Sequence, residues 1–159
     1  NSGSDTSDVR TLEYLKILAE AGADISKMPS ERSLSPLFYA TFKGFMNIDI
    51  YSYLISKGAD VNSVTVPKSL DMNNQWRMFR EIHIKGVEKT GMLTVMARMM
   101  AERQYYDNRF LSNVLPYLLE KGAKVDIKDS KGKSCLDYVE TMKDKNKQMY
   151  EQWASRIRK

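Results

Sequence analysis

Apolar residues recur at helical spacing in three separate runs of the chain. They are Leu12, Leu15 and Leu18 in the first run, Ile50, Tyr53 and Leu54 in the second, and Val114, Leu115, Leu118 and Leu119 in the third. A spacing of three or four residues places side chains on one face of a helix, so each run predicts an amphipathic helix. A glycine follows each run, at Gly22, Gly58 and Gly122. Glycine adopts the left-handed conformation that commonly ends a helix, so the pattern predicts three helices with the same end.

Hydroxyl residues indicate three further helix starts, at Ser35, Thr94 and Ser134. A hydroxyl oxygen accepts a hydrogen bond from a free amide group in the first helical turn, and a proline there, such as Pro36, costs no hydrogen bond. Cys135 takes the proline position at the third start, where we expect it to pack as a small apolar residue. We expect a group of methionines at helical spacing to fill the core beside the second start: Met92, Met96, Met99 and Met100.

The interleaved starts and ends resemble the ankyrin repeat, a unit of about 33 residues that contains a β-turn and two helices. Residues 35–40, Ser-Pro-Leu-Phe-Tyr-Ala, are similar to the family motif Thr-Pro-Leu-His-x-Ala, and residues 12–24 and 122–136 are similar to its second helix and turn. The resemblance is weakest over residues 91–113. It implies an all-α fold, an α-solenoid of stacked helix-turn-helix repeats with β-turn fingers.

The resemblance also implies a division of the chain. The segments are a flexible polar N-terminal segment at 1–8 and a repeat domain at 9–159, made of a half repeat at 9–26, a repeat at 27–62, a finger insertion at 63–90, a degenerate repeat at 91–126, and a terminal repeat with a capping helix at 127–159. The opening repeat has only its second helix, so either a first helix is missing or this helix caps the stack. In the final helix, Met149, Trp153 and Ile157 share one face, which leaves the other face polar, as expected of a terminal repeat.

The finger insertion is the most distinctive segment, because it adds about 24 residues relative to the family's repeat of about 33. Two short alternating runs, at 64–66 and 82–84, predict a β-hairpin that extends the turn. Between them lie four residues of types found as binding anchors: Trp76, Arg77, Phe79 and Arg80. We expect them either to contact a partner or, in the case of Trp76 and Phe79, to fold back over the irregular third repeat.

A second candidate surface follows from the resemblance, which implies that partners bind in the concave groove between the turns and the first helices. The groove positions carried over are Tyr39, Arg98 and Tyr138, with Phe42 and Lys43 one turn further along the second repeat. Tyrosine and arginine are frequent in recognition surfaces because they combine apolar and polar contacts. The alternative is that these side chains are half-buried and pack on neighbouring turns.

The charge is unevenly distributed along the 159 residues, which hold 25 basic and 20 acidic side chains. The whole excess of +5 lies after residue 120, where 11 basic residues face six acidic ones. An electrostatic site for nucleic acid or another acidic surface is therefore an alternative function. Its residues would be Lys121, Lys124, Lys128, Lys131, Lys133, Arg156, Arg158 and Lys159. No aromatic residues interleave with these lysines, so nucleic acid is the less favoured partner.

Composition excludes other classes. One Cys and one His allow neither an internal disulfide nor a Cys/His zinc site, and His83 has no nucleophile near it in sequence. We therefore expect no enzyme activity, no cofactor and no metal. No apolar run reaches the roughly 18 residues of a transmembrane helix. We expect a soluble, monomeric domain that binds another protein, with the cytoplasm favoured over export or a lipid anchor.

Overall fold

The computed structural model describes residues 6–27, 35–43, 45–64, 90–103, 107–129 and 131–158. About 65% of these residues are helical and none of them forms a strand, so the all-α class is confirmed. The helices are α1 (Thr6–Glu20), α2 (Pro36–Lys43), α3 (Ile48–Ser56), α4 (Met92–Arg103), α5 (Leu115–Glu120), α6 (Cys135–Met142) and α7 (Lys147–Ile157). A π-helical segment, Phe110–Val114, runs directly into α5. The β-hairpin predicted within 63–90 falls on residues outside the described ranges.

Helices α1, α3 and α5 end in the same way, as their glycines predict. Gly22, Gly58 and Gly122 have φ values of 91°, 96° and 87°, in the left-handed region. The alanine after each glycine donates its backbone N–H to the carbonyl five residues earlier: Ala23 to Leu18 at 3.0 Å, Ala59 to Leu54 at 3.0 Å, and Ala123 to Leu118 at 2.9 Å. This hydrogen bond satisfies a carbonyl that the helix leaves free, and it confirms the three predicted helix ends.

Two of the three predicted helix starts have the expected hydroxyl cap. The Ser35 hydroxyl accepts from the Phe38 backbone N–H at 3.1 Å. Ser134 and Asp137 form a reciprocal capping box, in which the Asp137 carboxylate accepts the Ser134 N–H at 2.8 Å. Thr94 differs, because α4 already begins at Met92, where the apolar side chains of Met92 and Leu93 are buried. The Thr94 hydroxyl instead donates to the Ile127 carbonyl at 2.6 Å.

The helices pack around one continuous core. Helix α3 contacts both α1 and α2, α4 packs along α6, and α7 contacts α5 and α6. The four methionines of α4 are buried in this core, as their spacing predicts. Trp153 of α7 is fully buried, with its ring 6.1 Å from that of Phe110 and its indole N–H 3.2 Å from the Met100 sulfur. These contacts tie the last helix to α4 and to the π-helical segment.

A buried carboxylate holds the beginning of α1. The helix begins at Thr6, inside the segment that the sequence assigned to a flexible tail. Asp8 is 5% exposed, and its Oδ2 atom accepts hydrogen bonds from the Met46 and Asn47 backbone N–H groups, both at 2.9 Å. Asn47 caps the N-terminus of α3, where free amide groups and the helix dipole favour a negative charge. This contact orders residues 6–8, which the polar composition alone did not reveal.

Candidate interaction surface

The turns that follow the three glycines contact one another at matching positions. Four residues after Gly58, the Asn62 side chain donates to the Gly122 carbonyl and accepts from the Lys124 N–H, both at 2.8 Å. Four residues after Gly22, the Ser26 hydroxyl oxygen lies 3.9 Å from the position that a Cβ atom would take at Gly58. Each of these turns therefore rests on the next one along the chain.

A second pair of contacts, at equivalent positions, joins the starts of α2 and α4 to the turns. The Ser63 hydroxyl donates to the Ser35 hydroxyl at 2.9 Å, and the Thr94 hydroxyl donates to the Ile127 carbonyl at 2.6 Å. Ser63 and Ile127 both lie five residues after their glycines. The residues predicted to start α2 and α4 therefore contact the equivalent position of a turn.

The predicted groove residues differ widely in exposure. Tyr39 is 43% exposed, whereas Arg98 is 7% and Tyr138 is 2% exposed. Arg98 and Tyr138 do lie together, with the guanidinium 6.0 Å from the ring centroid. The alternative left open by the sequence, packing on neighbouring turns, therefore describes these two side chains. Phe42 and Lys43 belong to α2, but their side chains lie outside what the structure describes.

Arg98 and Tyr138 meet at a carboxylate in the turn before α6. The Asp129 Oδ2 atom accepts from the Tyr138 hydroxyl at 2.6 Å and lies 3.5 Å from Arg98 Nη1. Arg98 also pairs with Glu102 at 3.2 Å. Burial raises the pKa of the Tyr138 hydroxyl, and its hydrogen bond to Asp129 raises that pKa further. The cluster thus holds a neutral phenol and a paired guanidinium, so each of these buried polar groups has a partner.

The same carboxylate also organises the last turn. The Oδ1 atom of Asp129 accepts from the backbone N–H groups of Lys131 and Lys133, at 2.9 and 3.1 Å. Gly132, between these two lysines, has a φ of 71°. One aspartate therefore links the described residues of this turn, 129 and 131–133, to α4 and α6.

The basic end is interrupted by carboxylates. Lys131 lies 3.5 Å from Glu102, and Arg158 lies 3.2 Å from Glu140. Lys133 lies over the Tyr138 ring at 5.7 Å. These partners reduce the local excess of positive charge at the described part of this end. Lys159 lies outside the described ranges.

The remaining candidate groups offer little chemistry. Cys135 is fully buried, and burial raises the pKa of its thiol. A protonated, buried thiol is a poor nucleophile. In the described ranges no three His, Cys, Asp or Glu side chains are grouped so that they could hold a metal ion, and no helix there has the length and apolarity to cross a membrane. His83 and the finger residues Trp76, Arg77, Phe79 and Arg80 lie outside these ranges.

Sequence reasoning missed an apolar surface on α1. Tyr14, Ile17 and Leu18 are 65%, 59% and 50% exposed. They share one side of the helix, because three and four residues correspond to about one helical turn.

The comparisons with known proteins add no assignment. No protein-family model matches the chain. No curated protein matches it either. A solved complex of a predatory endopeptidase from Bdellovibrio bacteriovorus with an immunity protein matches at 18% identity, over 91% of this chain and 74% of that chain, with a TM-score of 0.40. A likeness at that TM-score supports no conclusion about the fold or activity of this chain.

Proposed function

We propose that the chain is a protein-binding module built as a short stack of ankyrin-like repeats. The observation that carries this proposal is the matching set of contacts between successive turns. Asn62 hydrogen-bonds the backbone at Gly122 and Lys124, and Ser26, which like Asn62 is the fourth residue after a glycine, lies beside Gly58. Repeat proteins are stabilised by contacts of this kind between neighbouring units, and they use the resulting extended surface for binding.

In this proposal the buried polar cluster supports the binding surface rather than forming it. Asp129, Arg98 and Tyr138 fix the last turn to α4 and α6 through buried hydrogen bonds. A surface that is rigid before binding loses less conformational entropy when the partner binds. Substitution in the cluster therefore acts on a partner indirectly, through the position of the turn.

Tyr39 is the groove residue most suited to direct contact. It occupies the same position as Arg98 and Tyr138, four residues after the hydroxyl at the start of the segment, but it is 43% exposed. An exposed tyrosine supplies a large contact area with few rotatable bonds and a hydroxyl for hydrogen bonding. The finger residues Trp76, Arg77, Phe79 and Arg80 are proposed as additional anchors, on their residue types alone.

A site-specific crosslink tests this surface. A photoreactive phenylalanine derivative is placed at position 39 and, as a control of matched exposure, at position 136, where Leu136 is 42% exposed. In extracts of the source cells, we expect position 39 to crosslink a discrete protein that excess unlabelled wild-type chain displaces. Position 136 should give no such product.

The protein identified in this way is then titrated against purified variants. We expect Tyr39→Ala to weaken its binding about tenfold or more, the loss typical of a contact at the centre of an interface. The unfolding midpoint should stay at the wild-type value, because the side chain is exposed. If Tyr39→Ala binds that protein as tightly as wild type, or if no displaceable crosslink forms at position 39, the groove assignment is wrong.

A further inference from the structure

Two of the exposed apolar side chains of α1 stand at positions that are buried in the other two glycine-ended helices. Counted back from the glycine, Tyr14 and Leu18 occupy the eighth and fourth positions. The same positions hold Ile50 and Leu54 in α3, and Val114 and Leu118 in the segment leading into Gly122. Those four residues are at most 1% exposed, whereas Tyr14 and Leu18 are 65% and 50% exposed.

The comparison of equivalent positions therefore indicates that this side of α1 has the apolar residues of a core but is not covered by another helix. Ile17, 59% exposed, extends it on the same side of the helix. We refer to Tyr14, Ile17 and Leu18 as the α1 face. Single exposed apolar residues are common on protein surfaces, but three large ones on adjacent turns are typical of an interaction site.

The charges beside the α1 face are arranged for pairing with a second copy of the same helix. Arg10 and Glu20 are both exposed, and among the described residues neither takes part in an ion pair. They are ten residues apart, a distance of about 15 Å along a helix. Their midpoint falls at residue 15, within the stretch that holds the α1 face. An antiparallel second copy would therefore place each Arg10 beside the other copy's Glu20.

We propose that the chain self-associates through the α1 face, as an antiparallel pair of α1 helices about a two-fold axis. With the two-fold axis at residue 15, Tyr14 of one copy lies within one residue of the level of Ile17 of the other, and an Arg10–Glu20 ion pair forms at each end of the apolar contact. A parallel arrangement would instead place Arg10 against Arg10 and Glu20 against Glu20. A two-fold contact brings the same surface of both copies together, so that surface must be complementary to itself. The symmetric spacing of Arg10 and Glu20 meets this requirement.

The association is weak and concentration-dependent. One helix face per copy buries less than the roughly 1,200 Å² of a stable interface, so the dimer forms at micromolar concentration or above. This proposal replaces the monomer expected from the sequence. It is independent of the partner surface at Tyr39, which lies on α2.

Sedimentation velocity of the full chain, from low micromolar to near-millimolar concentration, tests the proposal. We expect the wild type to shift from monomer to dimer. Leu18→Glu should remain monomeric throughout, because it places a carboxylate in the apolar contact. Leu136→Glu, at a similarly exposed leucine in α6, should dimerise like the wild type. A wild type that stays monomeric at every concentration overturns the proposal.

A charge reversal distinguishes this pairing from any other use of the α1 face. We expect Arg10→Glu and Glu20→Arg each to weaken self-association about tenfold or more, because each places like charges together. An equimolar mixture of the two variants should restore the wild-type dimer, since both ion pairs then form with reversed sign. Circular dichroism at low concentration checks that each variant is folded. If the mixture does not associate, the antiparallel assignment is wrong.

Discussion

Helix α7 buries Met149 and Trp153 completely, whereas α1, at the other end of the chain, buries one residue of its fifteen, the carboxylate-bearing Asp8. Helix α7 turns its polar side chains outward, while α1 turns Tyr14, Ile17 and Leu18 outward. The Met46 and Asn47 N–H groups donate to Asp8 and, with the partly buried Leu12 and Leu15, hold the first helix. The last helix is held by fully buried apolar side chains. We refer to α7 as the closed end and to α1 as the open end, after the burial of the apolar side chains of α7 and the exposure of Tyr14, Ile17 and Leu18.

The largest expected effect is at the closed end. Trp153→Ala removes a fully buried aromatic ring that contacts Phe110 and Met100, and we expect it to lower the free energy of unfolding by about 3–5 kcal/mol. The matched change at the open end is Tyr14→Ala, where the ring is 65% exposed. That change should alter stability by no more than about 0.5 kcal/mol.

Urea unfolding followed by far-ultraviolet circular dichroism measures both changes without relying on tryptophan fluorescence. The protein is held at low micromolar concentration, so that self-association through α1 does not contribute. Equal losses in the free energy of unfolding for Trp153→Ala and Tyr14→Ala would contradict the proposed difference in packing between α7 and α1. A large loss for Tyr14→Ala alone would mean that the α1 face is covered within a single chain.

The sequence predicted the closed end better than the open one, for physical reasons. Met149 and Trp153 are four residues apart on a polar helix, so their burial follows from helical periodicity. Leu18 has the same periodicity as Leu54, and no local pattern indicates that only one of them has a helix packed against it. Whether an apolar side chain such as Leu18 is exposed depends on which other helix packs against it. The periodicity of one helix does not contain that information.

The candidate site shows the same limit. The groove positions carried over from the resemblance include both Arg98 and Tyr138, and their side chains lie together, with the guanidinium 6.0 Å from the ring centroid. The sequence left their burial as one of two alternatives, because the outcome depends on Asp129, which lies in the turn before α6 and accepts a hydrogen bond from the Tyr138 hydroxyl at 2.6 Å. Asp8 is a similar case, because its partners lie 38 and 39 residues further along the chain.

An intermediate effect is expected from removing the polar attachment of α1. Asp8→Ala leaves the Met46 and Asn47 N–H groups without their carboxylate, and we expect a loss of about 1–3 kcal/mol in the free energy of unfolding. Amide hydrogen exchange at Met46 and Asn47 should accelerate. Glu13→Ala, at an exposed position on the same helix, is the control and should leave both quantities unchanged. Unaltered exchange in Asp8→Ala would show that these hydrogen bonds do not hold α1.

The smallest expected effect is a titration in the exposed turn after α1, at Asp24. Its carboxylate accepts from the Ser26 hydroxyl at 2.6 Å and from the Ser26 N–H at 3.1 Å, and Lys27 lies 3.2 Å away. Together these contacts lower the pKa of Asp24 from 3.8 to about 2, with the Ser26 side chain as the largest cause. A carboxyl group whose pKa is lower in the folded chain favours folding above its unfolded pKa and loses that contribution as pH falls toward 2.

Carbon-13 NMR of the aspartate carboxyl groups follows this titration directly. We expect Ser26→Ala to raise the pKa of Asp24 toward its ordinary value, because the strongest hydrogen bond to the carboxylate is lost. Asp137, at the start of α6, has its pKa lowered by the Ser134 N–H and hydroxyl instead, so Ser26→Ala should leave it unchanged. A pKa of Asp24 that does not respond to Ser26→Ala would mean that the turn after α1 is not held by this side chain. The attachment of α1 through Asp8 would be unaffected, because the Asp24–Ser26 contact lies within one turn whereas Asp8 binds the start of α3.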